Sequence, residues 1–388
     1  MRSRALGPYC RIMGIRAFVL PICTAMVLLS ACTTSSVESV PAPSVALARV
    51  DAVQGDLDAL IRSGAVGAIA TLTKNGTTTV ATSGLADIAT GTPISRDLAQ
   101  HVRVGSITKA FTAAIVLQLV AEHRINLDQS IDTYLPGLLS GNGVDGHAIT
   151  VGQILGHRSG LPELTVSPET NEYEAARRGR TYTPAQEIAA ALRRPAQFAP
   201  GTQFKYTSTN YIVAGMLIEA VTGHRYTDEL RGRILSPLAL SDTYLPATGE
   251  TGLRDPHPTG YATVDGTVTD ETRVEPSLLW AAGALVSTGA DLNRFFLALL
   301  AGQVVPPTQL QQMLDGTDMG HGDGMSYGLG ITYTQLPCGP QYVGHLGDVH
   351  GFSAISGATA SGLAVTFSYT GTPSTVDIRN LLTHALCG

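Results

Sequence analysis

Ser106 and Lys109 stand three residues apart in Val104-Gly105-Ser106-Ile107-Thr108-Lys109-Ala110. On a helix this spacing puts a hydroxyl and an amine on one face, within reach of each other. A serine hydroxyl is a weak nucleophile at neutral pH and needs an adjacent base. A lysine becomes that base when burial or a neighbouring cation lowers its hold on the proton. The free N–H groups at a helix start favour the negative charge that grows on a carbonyl under attack. Acyl transfer is the chemistry such a pair could do. The pattern alone is a weak signal, because a capped helix with a solvated lysine one turn on looks the same. The chain holds only three lysines, Lys74, Lys109 and Lys205, and threonine stands at this spacing before the other two.

Two further stretches carry groups that could join the pair. Tyr206-Thr207-Ser208-Thr209-Asn210 precedes the most apolar run of the middle region. A phenol at a turn before a helix can face a cleft. Near an ammonium group its pKa falls, so Tyr206 could relay a proton to a leaving amine. Gly344-His345-Leu346-Gly347-Asp348 falls on a predicted strand whose glycines permit close backbone approach. His345 could hold positive charge beside the Ser–Lys pair, or donate a hydrogen bond. Plainer readings exist for both: a half-buried tyrosine with its hydroxyl on water, and a structural histidine. No nucleophile elbow is expected. His321, His345, His350 and His384 lack the short paired spacing of a zinc site, so neither a metal nor a cofactor is expected.

The chain is long enough to bury a large core and to form one or two domains: 388 residues, 44% hydrophobic and 14% charged. The first 32 residues read as an export signal. An Arg-bearing start leads into an apolar run from Ala17 to Leu29, too short to span a bilayer and interrupted by Pro21. The run ends in Leu29-Ser30-Ala31-Cys32, which resembles a bacterial lipobox, so Cys32 is the expected lipidation site and residues 1–31 the signal peptide. Residues 32–48 are then a Ser/Thr/Pro-rich tether, and residues 49–388 the folded domain. Losing the signal removes Arg2, Arg4, Arg11 and Arg16 and no acid, taking the formal net charge from −6 to −10. An acidic chain without a basic run is not expected to bind nucleic acid. Cys10 and Cys23 leave with the signal. Cys338 and Cys387 remain as an even pair in an oxidising compartment, either a disulfide or two separate buried thiols.

Periodicity and turn chemistry supply the elements that must position these residues. Val50 to Ile61 has helical spacing. Val66–Leu72 and Thr77–Ala81 read as strands joined at Asn75-Gly76, a strong hairpin signal. The stretch from Gly84 to Asp97 reads as loop, and the helix bearing Ser106 continues to His123. From Leu127 to about Leu245 the pattern is mostly helical, with helices expected at 150–155, 183–192 and 210–222, the last ended by Gly223. Gly283–Ser287, Gly328–Tyr333, Gln341–Leu346, Phe352–Ala358 and Leu363–Tyr369 read as strands, and Val376–Leu386 as a closing helix. The expected class is α+β: an antiparallel sheet built from both termini and flanked by helices, with a mostly helical subdomain at about 127–280 inserted.

Taken together and in this order, these motifs resemble the serine β-lactamase and penicillin-binding superfamily. Within it the likeness is to the DD-carboxypeptidase and class C β-lactamase-like branch, and most to the secreted D-alanyl-D-alanine carboxypeptidases of actinomycetes. It runs from about Val50 to the C-terminus. It rests on Gly105-Ser106-Ile107-Thr108-Lys109, His157-Arg158-Ser159-Gly160-Leu161-Pro162, Lys205-Tyr206-Thr207-Ser208, the run from Asn210 to Glu219, Tyr327-Gly328-Leu329-Gly330 and the two late cysteines. The resemblance implies that Ser106 forms an acyl-enzyme, that Lys109 is its base, and that Tyr206 passes the proton to the leaving group. It implies an oxyanion hole from the N–H groups of Ser106 and Asp348, with Ser208, His345, Gly347 and Asp348 lining the substrate. The default activity is then D-alanyl-D-alanine carboxypeptidase on peptidoglycan stem peptides, by an enzyme lipid-anchored to the outer face of the bacterial cytoplasmic membrane. Alternatives are a D-aminopeptidase, esterase or β-lactamase on the same fold, acting on other D-amino-acid amides or esters, or a non-catalytic wall-binding module.

Three departures from the carboxypeptidase pattern bear on substrate. The late strand of those enzymes reads His-Thr-Gly-Thr, with hydroxyls that help to hold a terminal carboxylate, where this chain has Leu346 and Asp348. They carry an Arg soon after Gly-Leu-Gly, where this chain has Ile331-Thr332-Tyr333. Ser208 stands where an Asn is usual, with shorter reach. A carboxylate at Asp348 repels another carboxylate, which opposes a free D-Ala terminus unless Asp348 turns away, toward Arg379 or His350.

Overall fold

Asn75 and Gly76 both adopt positive φ, 51° and 78°, as a tight two-residue hairpin requires. That hairpin joins β1 (Ala65–Lys74) to β2 (Thr77–Asp87) within a nine-stranded sheet. The structure is a computed structural model that describes residues 45–166, 179–320, 322 and 324–388. The signal-like stretch, Cys32, most of the tether and His321 lie outside the described residues.

The other strands of the sheet are β3 (Thr92–Pro93), β4 (Thr317–Asp318), β5 (Ser326–Tyr327), β6 (Thr332–Gln335), β7 (Gln341–Val349), β8 (Phe352–Thr359) and β9 (Leu363–Gly371). Their order is β4-β5-β6-β7-β8-β9-β1-β2-β3, antiparallel throughout. The first and last long strands are neighbours, running from Ala65 opposite Gly371 to Lys74 opposite Leu363. The sheet is therefore closed by the two ends of the folded chain, and class and architecture are as read from the sequence.

Helices cover both faces, so β1 is buried along nearly its whole length rather than alternating. On one face α1 (Val45–Ser63) and α7 (Ile378–Cys387) bring Val53, Leu57, Leu381 and Leu386 against Leu363, Val365 and Phe367. On the other, α6 (Gly289–Leu300) packs Phe295 and Phe296 into a larger core shared with the helical region. The disulfide Cys338–Cys387 ties the β6–β7 turn to the end of α7, with Cα atoms 5.7 Å apart.

The helix carrying Lys109, α2 (Thr108–Ala121), is mostly apolar and is buried on every side over Thr108–Leu117. Its Phe111 stacks on Phe295 at 3.8 Å between ring centroids. Around it lie α3 (Val151–Leu155), α4 (Pro184–Ala191) and α5 (Thr209–Thr222). Capping boxes start α3 at Thr150/Gln153 and α4 at Thr183/Gln186, and Gly223 at φ 75° ends α5.

Several expected boundaries differ. Gly328-Leu329-Gly330 is a turn, not a strand, and only Val286–Ser287 of the 283–287 run is extended, after a short helix at Trp280–Gly283. The 84–97 stretch is not all loop, since β2 continues to Asp87 and β3 pairs with it. The inserted region also holds a hairpin, Tyr261–Val264 with Thr267–Asp270, turned by Asp265-Gly266. The Asp-Gly signal was there to be read.

Candidate active site

Ser106 sits in a single helical turn, Gly105–Ile107, that leads straight into α2. This fixes Lys109 one turn along, and its Nζ donates to Ser106 Oγ at 2.8 Å. The same nitrogen donates to the Ala282 carbonyl at 2.7 Å and reaches Ser208 Oγ at 3.5 Å. Lys109 is wholly buried, while Ser106 is partly open to solvent. The amine is thus held by the protein and the nucleophile is reachable.

Glycines let the nucleophile turn touch β7. A Cβ on Gly105, whose φ is 51°, would stand 2.8 Å from Asp348 N. A Cβ on Gly347 would stand 1.9 Å from the Val104 carbonyl oxygen and 3.1 Å from Ser106 N. Neither contact tolerates a side chain, so both backbones meet only because both positions are glycine. Val349 and Phe352 flank a two-residue turn and form the bonded pair, which makes Asp348 and Ser353 a non-bonded pair. The Asp348 N–H therefore points away from β8, toward the Ser106 turn, as an oxyanion hole requires.

Tyr206 arrives from the opposite side. His157 straps its segment down: the Lys205 N–H donates to the His157 carbonyl at 2.9 Å and the Thr207 N–H to His157 Nδ1 at 3.2 Å. The Ser106 side chain acts on the phenol, and Lys109 Nζ lies 4.9 Å from its ring centroid. The expected lowering of its pKa is overturned. Burial raises it and outweighs the Ser106 hydrogen bond, and the carboxylates of Glu163 and Asp348 raise it further. Tyr206 is a neutral phenol at rest, a proton donor rather than a phenolate.

Of the two roles read for His345, the positive charge fails and the hydrogen-bond donor stands. Burial first, then the nearby Lys109, pushes its pKa down to about 3, so the ring carries no positive charge. Its Nδ1–H donates to the Leu346 carbonyl and its Nε2 accepts from Tyr327 Oη at 3.1 Å. Both ring nitrogens are spent on the protein, which makes His345 a wall of the site. Asp348 turns neither to Arg379 nor to His350. Its exposed carboxylate accepts from Ser353 Oγ at 2.5 Å, and its charge is felt at Tyr206.

The structure thus brings together Ser106, Lys109, Tyr206, Ser208, His345, Gly347 and Asp348, and places the Cys338–Cys387 bridge apart from them. Of three further neighbours, Glu163 escaped the sequence reading, and His157 and Tyr327 stood in its motifs without a role at the site. Glu163 Oε2 accepts from the Ser208 N–H at 2.7 Å. His157 and Tyr327 pack against Tyr206, at 4.2 and 5.8 Å between ring centroids. No periodicity marks these three, since loops and a two-residue strand carry them. Ser326 also lies in a Gly-x-Ser-x-Gly stretch, Gly324-Met325-Ser326-Tyr327-Gly328. It sits on β5 with no helix following, so it forms no nucleophile elbow. Among the described residues, no group of three or more His, Cys, Asp or Glu side chains is arranged to hold a metal ion.

Comparison with known proteins agrees with this geometry. Residues 50–386 match the family described as Beta-lactamase. A D-stereospecific amidohydrolase from Streptomyces sp. superposes with a TM-score of 0.80 at 33% identity, covering 87% of this chain and 98% of that one. The D-amino acid amidase of Ochrobactrum anthropi SV3, solved with D-phenylalanine, gives 0.75 at 28% identity over the same shares. Penicillin-binding protein 4 of Amycolatopsis lactamdurans is 28% identical over 229 residues, 58% of this chain and 56% of that protein. The chain spans little more than half, or less, of the first curated relatives it matches.

Proposed function

The chain belongs to the beta-lactamase family, and from that premise we propose that it hydrolyses amides of D-amino acids that carry a free amino group and no carboxylate at the cleaved end. The coarser statement, a serine hydrolase of the β-lactamase fold, stands on the family and the shared architecture. The finer one is carried by a single observation: two carboxylate residues border the nucleophile, Glu163 on the Ser208 N–H at 2.7 Å and Asp348 on the strand that meets the Ser106 turn. A site with two anionic poles favours a protonated amine and disfavours a carboxylate. Leu346 adds to this by removing a hydroxyl that could have held one. The similar amidohydrolase and amidase support the same substrate class.

In this reading Lys109 stands as the neutral amine once substrate is bound, still donating to the Ala282 carbonyl; Ser106 Oγ attacks the amide carbonyl and its proton passes to the free electron pair of Lys109 Nζ. The Ser106 and Asp348 N–H groups hold the oxyanion. Tyr206 gives its proton to the leaving nitrogen as the C–N bond breaks, and Lys109 restores it. A water then attacks the acyl-ester, its proton returns through the same groups, and Ser106 Oγ leaves. Ser208 holds Lys109, and His345 keeps the cleft wall dry and neutral.

The D-alanyl-D-alanine carboxypeptidase expected from the motifs is the second reading. It is favoured by the exposure of Asp348, whose charge water screens. Export and lipid attachment at Cys32, to the outer face of the cytoplasmic membrane, belong to the proposal as well. Labelled palmitate incorporation that survives Cys32→Ala would remove the anchor from it.

The experiment compares D-phenylalaninamide, L-phenylalaninamide and an acyl-D-Ala-D-Ala peptide, using a soluble protein that begins after Cys32, with Ser106→Ala as control. Ammonia release from the D-amide at a kcat/KM at least tenfold above the rate on the peptide is expected. Faster cleavage of the peptide would return the assignment to the carboxypeptidase. Turnover of neither substrate, with the fold intact, would sink both readings.

A further inference from the structure

Beside the proton-carrying groups stands a histidine with an unused proton. His157 is wholly buried. Its Nδ1 faces the Thr207 N–H at 3.2 Å and Asn210 Nδ2 at 3.1 Å. A backbone amide can only donate, so Nδ1 carries no hydrogen. Asn210 agrees: its Oδ1 accepts from Ser159 Oγ at 2.6 Å, which leaves its amino group for the imidazole. Burial, then Lys109, then His345 hold the His157 pKa well below its ordinary value, so the ring is neutral. Its one proton is therefore on Nε2, and Nε2 has no hydrogen-bond partner. A buried donor left unpaired is costly, and its presence in a packed site asks for a reason.

The surroundings give one. The imidazole lies 4.2 Å from the Tyr206 ring at an interplanar angle of 37°. Tyr327 stands 4.6 Å away, Tyr211 5.4 Å and Phe204 6.1 Å, so the ring is boxed by aromatic side chains. Hydrogen bonding by Nε2 would demand a polar atom inside this box, at the expense of the ring contacts. One imidazole thus fixes the catalytic phenol twice. Its Nδ1 pins the peptide directly after Tyr206, and its ring packs against the phenol itself.

We propose that His157 is the positioning residue for Tyr206, its ring setting where the phenol hydroxyl meets Ser106 and Lys109. The inference rests on the reading of Tyr206 as the proton carrier. A displacement of about 1 Å at such a group is enough to cost on the order of a hundredfold in rate.

His157→Asn separates the ring from the bond. Asparagine keeps an oxygen near the Nδ1 position to accept from the Thr207 N–H, and tolerates the φ of 54° found here. His157→Phe does the reverse: it keeps the ring and leaves that N–H unpaired. In the intact enzyme we would measure kcat and KM for D-phenylalaninamide, the pH–rate profile, and the rate at which a fluorophosphonate labels Ser106. Per folded molecule, the Asn variant should keep its KM within about twofold and lose roughly 10- to 100-fold in kcat and labelling rate. Its alkaline limb should move, although the groups that bear on Tyr206 (Lys109, Glu163, Tyr211, Tyr327, His345 and Asp348) are all still present. The Phe variant, per folded molecule, should keep more of kcat than the Asn variant. An Asn variant with wild-type labelling and pH profile, or with losses that track only its folded fraction, overturns the proposal. Labelling does not depend on the natural substrate. A wild type inactive on D-amides would therefore refute the substrate reading, while the labelling comparison still decides the role of His157.

Discussion

Replacing Asp348 by Asn removes one negative charge from the rim of the site and keeps an oxygen to accept from Ser353 Oγ. Two unit charges about 4 Å apart repel by about 4 kcal/mol at an effective dielectric of about 20, and by about 1 kcal/mol in water. Asp348 is exposed, so the water-like limit governs, and we expect about 1–2 kcal/mol against a substrate carboxylate. That is roughly 5- to 30-fold in kcat/KM for an acyl-D-Ala-D-Ala peptide relative to a D-amino-acid amide. The assay is the ratio of the two kcat/KM values for wild type and Asp348→Asn, at low salt and at 0.5 M, a value of about three times physiological ionic strength. Salt should raise the wild-type ratio toward that of the variant and leave the variant unmoved. A ratio that changes less than twofold on substitution, with the same salt dependence in both proteins, would show that Asp348 does not act on the substrate through its charge.

The other predictions concern the phenol, the buried histidine and the disulfide. Tyr206→Phe should lower kcat by about 10²- to 10⁴-fold with the fold intact, the usual loss for a proton carrier, as followed by amide hydrolysis. His345 has a folded pKa of about 3 against 6.5 for the free side chain. The unfolded chain therefore takes up a proton near pH 6.5 that the folded protein refuses, and stability falls as pH drops from about 6.5 toward 3, on the order of 3 kcal/mol by pH 4. His157 adds in the same direction. Calorimetric midpoints at pH 7 and pH 4 check this, and His345→Gln should flatten the slope. Cys338→Ser opens a loop closed over a sequence separation of 49 and should cost about 2–4 kcal/mol in denaturant unfolding, with turnover per folded molecule unchanged.

How legible the molecule was in its sequence varied with the kind of signal. Asn75-Gly76 and Gly223 were readable because each turn type admits few residues. The apolar runs that became β7, β8 and β9 were readable because strands buried on both faces must be apolar. The hairpin at Tyr261–Asp270 was missed inside a region read by its helices, and Gly328-Leu329-Gly330 was mistaken for strand because its residues are apolar or small. Glu163 was not singled out, and His157 and Tyr327 were quoted in motifs without a role, because their neighbours at the site lie far off in the chain.

The sequence by itself determined which groups could react. A helical spacing of three puts Ser106 and Lys109 on one face, and the family resemblance implies that Tyr206 and the His345–Asp348 strand join them at one site. It also determined the α+β class and the pairing of Cys338 and Cys387 as one of two alternatives. Only the tertiary structure decided the state in which those groups stand. Local sequence suggested a phenol with a lowered pKa and an imidazole either charged or donating a hydrogen bond, because it shows which groups are present but not their burial. In the fold, taking Tyr206 and His345 out of water sets the direction, the charges beside them (Glu163 and Asp348 on the phenol, Lys109 on the imidazole) add to it, and only the Ser106 and Leu346 hydrogen bonds oppose it. Desolvation depends on everything packed around a side chain, and residues distant in sequence do that packing.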